Sequence, residues 1–95
     1  MISIRLASEP GYTFYHLREC SGRNELFLGT VENRAACRTK CDNNNKCVSF
    51  EWWGELNSHP NEGSNYCQIS SSCTYDRSVE SNSNTYATDL YVKGN

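Results

Sequence analysis

The sequence predicts a small, disulfide-stabilised α+β domain that spans residues 1–95. The chain has six cysteines in 95 residues, its mean hydropathy is −0.73, and one helix-like segment lies among short segments with the alternating pattern of β-strands. A chain this short and polar buries too little apolar surface to be stable by its core alone. Covalent cross-links are therefore expected.

The cysteines indicate an oxidising, extracellular compartment, because an even number at irregular spacings in a small polar chain is typical of a secreted disulfide framework. The alternative is a zinc site, in which Cys37, Cys41 and Cys47 would combine with Cys67 or Cys73. Zinc sites usually have closely spaced cysteine pairs at both ends, and the spacing of the last two cysteines fits that pattern poorly. The opening MISIRLASEP lacks the continuous apolar run of a signal peptide, so it is expected to begin a mature domain.

Short strands are predicted in the first third of the chain. Ile2, Ile4 and Leu6 alternate with polar residues, which is the pattern of a strand with one buried face. The segment 12–20 is aromatic and extended in character, and 25–29 is a second candidate strand.

A helix is predicted to follow, with Thr30 as its N-cap and Glu32 in its first turn, where the helix dipole favours an anion. It is expected to end near Cys41. Because Cys37 and Cys41 are four residues apart, both sulfurs project from one face of this helix. That face is expected to be linked covalently to the rest of the fold.

The segment 47–53, CVSFEWW, is predicted to be the central strand. Strand alternation places Trp52 and Trp53 on opposite faces, so Trp52 is expected in the core and Trp53 outside it. The remaining segments are predicted to be a candidate binding loop at 54–65, a strand at 66–70, a second polar loop at 76–84 and a last strand at 86–93.

Composition excludes several functional classes. The formal net charge is −2, no apolar run approaches the roughly 18 residues of a membrane span, and there is no basic excess of the kind that binds nucleic acid. Charge is unevenly distributed, since residues 18–46 have six basic and four acidic side chains and residues 47–95 have two basic and six acidic ones. Neither nucleic acid, membrane insertion, a metal nor a cofactor is predicted.

Four short segments together resemble a known family. They are the cysteine-bearing helix with Cys37-x3-Cys41, NKCVSFE at 45–51, YCQIS at 66–70 and DLYVK at 89–93. In this order and spacing they resemble the PAN/apple family over about residues 20–93. The resemblance rests on the combination, since no single segment is diagnostic.

The PAN/apple resemblance implies a fold and a disulfide pairing. Domains of this family have one helix packed across a small, mostly antiparallel sheet, with two disulfides that join the helix to the sheet. Carried over to this sequence, the family pattern implies Cys37–Cys67 and Cys41–Cys47, and the third bridge of apple-type members would be Cys20–Cys73. The residues alone leave other pairings open, although cysteines one helical turn apart are poorly placed to bond to each other.

The resemblance also implies a secreted, non-catalytic binding module whose partners are glycans, glycoproteins or other extracellular proteins. We favour carbohydrate binding, because aromatic rings stack on the C–H faces of sugars and because carboxylates and amides hold sugar hydroxyls. The alternative for the aromatic residues is a structural role, in the core or over a disulfide. The expected ligand-binding residues lie on and around the 54–65 loop: Glu51, Trp53, Glu55, Asn57, His59, Asn65, Tyr66 and Tyr75.

A protein-binding or self-associating adhesive module is the second hypothesis. Exposed edge strands at 2–6 or 86–93 would pair with another chain, including a second copy in a weak homodimer. In a variant of this second hypothesis, Arg34, Arg38 and Lys40 on the helix would bind a sulfated polysaccharide. The alternative for these three is the solvated side of a helix.

Catalysis is the weakest hypothesis. His16 and His59 lie in no nucleophile–base motif, and all six cysteines are expected to be structural. Glu51 and Glu55 could face a common site, but paired carboxylates of a hydrolase need a cleft that a domain of this size rarely provides. We therefore expect no enzymatic activity.

Overall fold

A computed structural model describes residues 9–16, 18–21, 24–54, 62–80 and 88–94. The strand predicted at 2–6 lies outside these ranges. Within them, the chain forms one helix, α1, and seven strands. These elements are β1 (Tyr12–Tyr15), β2 (Arg18–Ser21), β3 (Glu25–Thr30), α1 (Arg34–Asp42), β4 (Ser49–Trp53), β5 (Tyr66–Ser70), β6 (Thr74–Glu80) and β7 (Asp89–Lys93).

Five of the strands form one antiparallel sheet in the order β1-β7-β4-β5-β3, and α1 packs on it over β4 and β5. The register aligns one apolar residue of each strand in a row beneath the helix: Phe14, Tyr91, Phe50, Ile69 and Phe27. In the middle of this row the rings of Phe50 and Tyr91 are stacked, with centroids 4.6 Å apart. The predicted class, a small disulfide-rich α+β domain with one helix on an antiparallel sheet, is confirmed, as is the central position of β4.

The three disulfides are Cys37–Cys67, Cys41–Cys47 and Cys20–Cys73, and the pairing implied by the family resemblance is confirmed. The first joins α1 to β5, the second joins α1 to the residues before β4, and the third joins β2 to the residue before β6. No cysteine is free. The zinc alternative therefore has no thiolate ligands.

The helix begins three residues later than predicted. Its N-cap is Asn33, whose side chain accepts a hydrogen bond from the Ala36 backbone N–H at 2.9 Å. Thr30 is instead the last residue of β3, because the Val31 backbone N–H donates to the Asn65 carbonyl and continues the sheet ladder past it. The N-cap prediction at Thr30 is thus wrong.

The prediction that Trp53 lies outside the core is also wrong. Trp52 and Trp53 are 8% and 3% exposed, because the sheet is covered on both faces. The helix covers the Trp52 face. Strands β2 and β6 form a separate antiparallel ribbon on the other face, where the Cys20 backbone N–H donates to Glu51 Oε2 at 3.0 Å.

The ribbon overturns two further sequence-based expectations. Residues 76–80, predicted to be part of a polar loop, belong to β6 and pair with β2; residues 81–84 lie outside the described ranges. The last strand is not an edge strand either, since β7 lies between β1 and β4. Strand β7 has a pairing partner on each side, and the alternation of residues along one strand does not reveal how many partners that strand has.

Removing either helix-to-sheet disulfide should destabilise the domain, and the disulfide that closes the longer loop should contribute more. Their sequence separations are 30 for Cys37–Cys67 and 6 for Cys41–Cys47. The chain-entropy relation then gives about 3.6 and about 2.2 kcal/mol for replacing each pair by alanine. Urea denaturation of the two double variants measures the difference. Equal losses, or a larger loss for Cys41/Cys47, would contradict a loop-entropy origin.

Candidate functional site

The predicted binding surface is partly interior. Glu51 is 2% exposed and lies beneath the β2–β6 ribbon, and Trp53 is buried beside it. Carboxylates are rarely buried without hydrogen-bond partners, and the contact with the Cys20 backbone N–H supplies one. Neither Glu51 nor Trp53 presents a side chain to a ligand at the surface.

Asn65 and Tyr66 remain at the surface, but each has a structural role. Asn65 has φ 61°, a left-handed conformation that asparagine tolerates, and its side-chain amide donates to the Glu32 carbonyl at 3.0 Å. The Tyr66 ring is half-buried, with its centroid 5.6 Å from the Trp53 ring. Burial raises the pKa of Tyr66, and the nearby carboxylate of Glu62 raises it further.

The rest of the predicted site is not placed. Glu55, Asn57 and His59 lie outside the described residues. Tyr75 belongs to β6 and pairs with Cys20, but the structure describes only its backbone. A ligand-binding role for these four residues stays a prediction.

The basic residues of α1 do not form the solvated stripe that the sulfated-polysaccharide variant requires. The carboxylate of Glu9 is 6% exposed and accepts hydrogen bonds from both Arg34 and Arg38, the second at 3.0 Å. The Arg34 guanidinium also lies 5.7 Å from the ring centroid of Tyr91, the buried aromatic residue of β7. The two arginines therefore join the chain before β1, the helix and the sheet.

A second contact reinforces this junction. The hydroxyl of Tyr12 in β1 donates a hydrogen bond to Asp42 at the end of the helix, at 2.8 Å. Burial raises the pKa of Tyr12 well above its ordinary value, and the hydrogen bond to the Asp42 carboxylate raises it further. The tyrosine therefore keeps its proton, and with it the hydrogen bond, further into the alkaline range than an ordinary tyrosine does.

Lys40 is the exception among the cations of α1. Its Nζ lies 4.3 Å from the centroid of the Phe27 ring in β3, a cation–π geometry. The described part of the chain places no carboxylate in an ion pair with it. An aromatic ring therefore holds its charge in place, and no carboxylate of the described residues neutralises it.

Lys40 stands at the rim of an open groove of about 350 Å³ between the C-terminal end of α1 and strands β3 and β5. The apolar part of the lining is Leu26, Phe27 and Ile69, and the polar part is Lys40, Asn43 and Asn44. These residues come from three separate segments: the Cys37–Cys67 disulfide joins the helix to β5, and backbone pairing joins β5 to β3.

The amides of this groove are largely available for a ligand. Asn44 Oδ1 accepts a hydrogen bond from the Lys46 backbone N–H at 3.0 Å, which fixes the turn after the helix. No other described residue bonds to the Asn44 Nδ2 or to the side-chain amide of Asn43. Together with the Lys40 ammonium, they provide donors and an acceptor around an apolar floor.

Sequence patterns did not indicate this groove. Leu26, Phe27 and Ile69 have the pattern of ordinary core residues, and the run at 43–45 is typical of a turn. The one available signal was the cluster of three asparagines directly after a cysteine-bearing helix.

Comparisons with protein-family models, with curated proteins and with solved structures returned no match to this chain.

The three disulfides are typical of extracellular proteins. No helix in the described ranges is long and apolar enough to cross a membrane. The same ranges contain no group of three or more His, Cys, Asp or Glu side chains arranged to hold a metal ion.

The different environments of the helix cations predict different costs of mutation. Arg38→Ala removes a hydrogen bond to the nearly buried Glu9 carboxylate, so we expect the free energy of unfolding to fall by about 1–3 kcal/mol. Lys40→Ala loses only an exposed cation–π contact, worth about 0.5–1 kcal/mol. Thermal and urea unfolding of both variants test this order. A larger loss for Lys40→Ala would mean that Lys40 belongs to the structural framework.

Proposed function

We propose that this chain is a secreted, non-catalytic binding module of PAN/apple type that holds a saccharide in the groove between α1 and β3. The observation that carries the proposal is the combination, in one concave surface, of an apolar floor, side-chain amides and an ammonium with which no described carboxylate pairs. The PAN/apple assignment is supported by the single helix on an antiparallel sheet and by the two helix-to-sheet disulfides.

The chemistry of the lining suits a sugar. Each sugar hydroxyl both donates and accepts hydrogen bonds, and the Asn43 amide and the Lys40 ammonium supply the complementary groups. The C–H faces of a pyranose ring find apolar contacts on the half-buried side chains of Leu26 and Phe27. A volume of about 350 Å³ lies at the small end of the roughly 300–1,000 Å³ typical of ligand sites, so the groove accommodates a short saccharide rather than a large one.

The lining also favours binding over catalysis. Proton transfer and nucleophilic attack require carboxylates, imidazoles, hydroxyls or thiols positioned against a substrate. The described residues that line the groove supply two amides, one ammonium and three hydrocarbon side chains, and none of those reactive groups.

Rigidity of the rim supports recognition. The last turn of α1 is fixed by the Cys41–Cys47 disulfide, by the Asn43 backbone N–H bonded to the helix, and by the Lys93 Nζ bonded to the Cys41 carbonyl at 3.0 Å. A preorganised site loses less conformational entropy when a ligand binds. The groove therefore keeps its shape without a ligand.

The test is a glycan array with the oxidised domain, followed by titration of the best saccharide with Asn43→Ala. Asn43 is exposed and its amide bonds to no described residue, so this variant should fold normally. Losing one or two hydrogen bonds of about 0.5–1.5 kcal/mol each predicts an affinity lower by roughly 2- to 150-fold. Asn45→Ala is the matched control, because Asn45 is an exposed amide in the same turn that does not line the groove, and its affinity should be unchanged.

Two outcomes would contradict the proposal. A blank array would reject saccharides as the ligand class and favour a protein partner. Binding with equal affinity to Asn43→Ala, and with NMR shift changes confined to the 54–65 loop, would reject the groove. Trp53→Ala is unsuitable for this test, because removing a buried tryptophan costs about 3–5 kcal/mol and confuses loss of binding with loss of folding.

A further inference from the structure

The outer edge of β3 carries unpaired backbone groups. Strand β3 is at the end of the five-stranded sheet and bonds to β5 on one side only. The Val31 N–H donates to the Asn65 carbonyl, and the antiparallel register alternates from there, so Gly29 and Phe27 also point their backbone groups at β5. Leu28 and Thr30 point theirs outward, where no described residue pairs with them.

This edge lacks the features that usually prevent strand pairing. Residues 26–31, LFLGTV, include no charge and no proline, and the irregularity in the β3–β5 register lies before Phe27. Leu28 is 50% exposed and is the most exposed large apolar side chain of the described residues. An exposed leucine between unpaired backbone groups is the pattern of a docking edge.

The surrounding layers leave the edge accessible. The β2–β6 ribbon contacts the sheet at Glu51 of β4 and along β7, two or more strands away from β3. On the other face α1 packs over β4 and β5. An additional strand beside β3 therefore meets neither of these layers.

We propose that a second copy of this chain pairs with β3 through its own β3, antiparallel, about a two-fold axis at Leu28. In this register Leu28 lies opposite Leu28 of the second copy, and the two leucines bury each other on the face away from the helix. Phe27 lies opposite Gly29 of the second copy, whose side-chain space is already filled by the ring of that copy's own Phe27, so the two rings lie next to each other on the helix face. The regular part of the strand, residues 27–30, carries no charge, so no like charges meet within it, and this self-complementarity favours a second copy over an unrelated strand.

The dimer has a consequence for the grooves. A two-fold axis perpendicular to the sheet leaves both helices on the same face, and both grooves include Leu26 and Phe27 of β3. With paired strands about 4.8 Å apart, the two grooves meet across the new seam and form one trough. The inference goes beyond the proposed function, since pairing of β3 does not depend on what the grooves bind.

The test is sedimentation equilibrium of the oxidised domain over a wide concentration range, combined with hydrogen exchange. We expect a weak dimer in which the Leu28 and Thr30 amides gain protection as concentration rises, while the Val31 amide, already bonded to Asn65, does not. Leu28→Lys places two charges opposite each other and should weaken the dimer at least about tenfold. Val48→Lys is the matched control: Val48 is the second exposed large apolar side chain among the described residues and lies outside β3, so this variant should dimerise normally.

Two results would overturn the inference: a wild-type chain that stays monomeric up to millimolar concentration, or a dimer that Leu28→Lys does not weaken. Thr30→Pro removes an outward N–H without adding charge and should also weaken the dimer, so a folding defect in one variant leaves the other as a test. Saccharide titration of monomeric Leu28→Lys separates the two proposals. Loss of the dimer with retained binding supports the groove independently, and a dimer without saccharide binding refutes only the proposed function.

Discussion

The covalent attachment of α1 to the sheet is the constraint on which the rest of this fold depends. The helix has nine residues, and its only fully buried side chains are those of two cysteines that lie one turn apart on the same face. An isolated helix of this length is unstable in water, and this one has few apolar side chains to compensate. Cys37 and Cys41 therefore do the work that a hydrophobic stripe does in larger domains, and they also fix the position of the groove rim.

The same attachment separates the helix cations into two groups. Arg34 and Arg38 turn toward the nearly buried Glu9, whose carboxylate would be costly to bury without them. Lys40, at the other end of the helix, reaches the edge strand β3 and meets Phe27 instead of a carboxylate. An excess of basic residues counted along the sequence thus overstates the charge available to a partner, because two of the cations neutralise a carboxylate from another segment.

Local sequence patterns predicted the strands β3, β4 and β5 well, and the family resemblance supplied all three disulfides. The wrong predictions concern residues whose burial or secondary structure depends on a segment far away in the sequence. Alternation placed Trp53 opposite Trp52 correctly, but it does not reveal that the β2–β6 ribbon covers the second face. Thr30 has the chemistry of an N-cap, yet the ladder to Asn65 extends the strand past it. The groove was missed for the same reason, since its floor and rim come from segments far apart in the chain.

Gly29 connects the groove and the strand edge physically. An ideal Cβ at this position would lie 2.9 Å from the tip of the Phe27 ring, so the ring occupies space that any other residue would fill. Phe27 in turn supports the Lys40 ammonium at the groove rim. Because Gly29 has no side chain, the Phe27 ring can occupy that space, and the ring in turn positions the Lys40 ammonium of the helix.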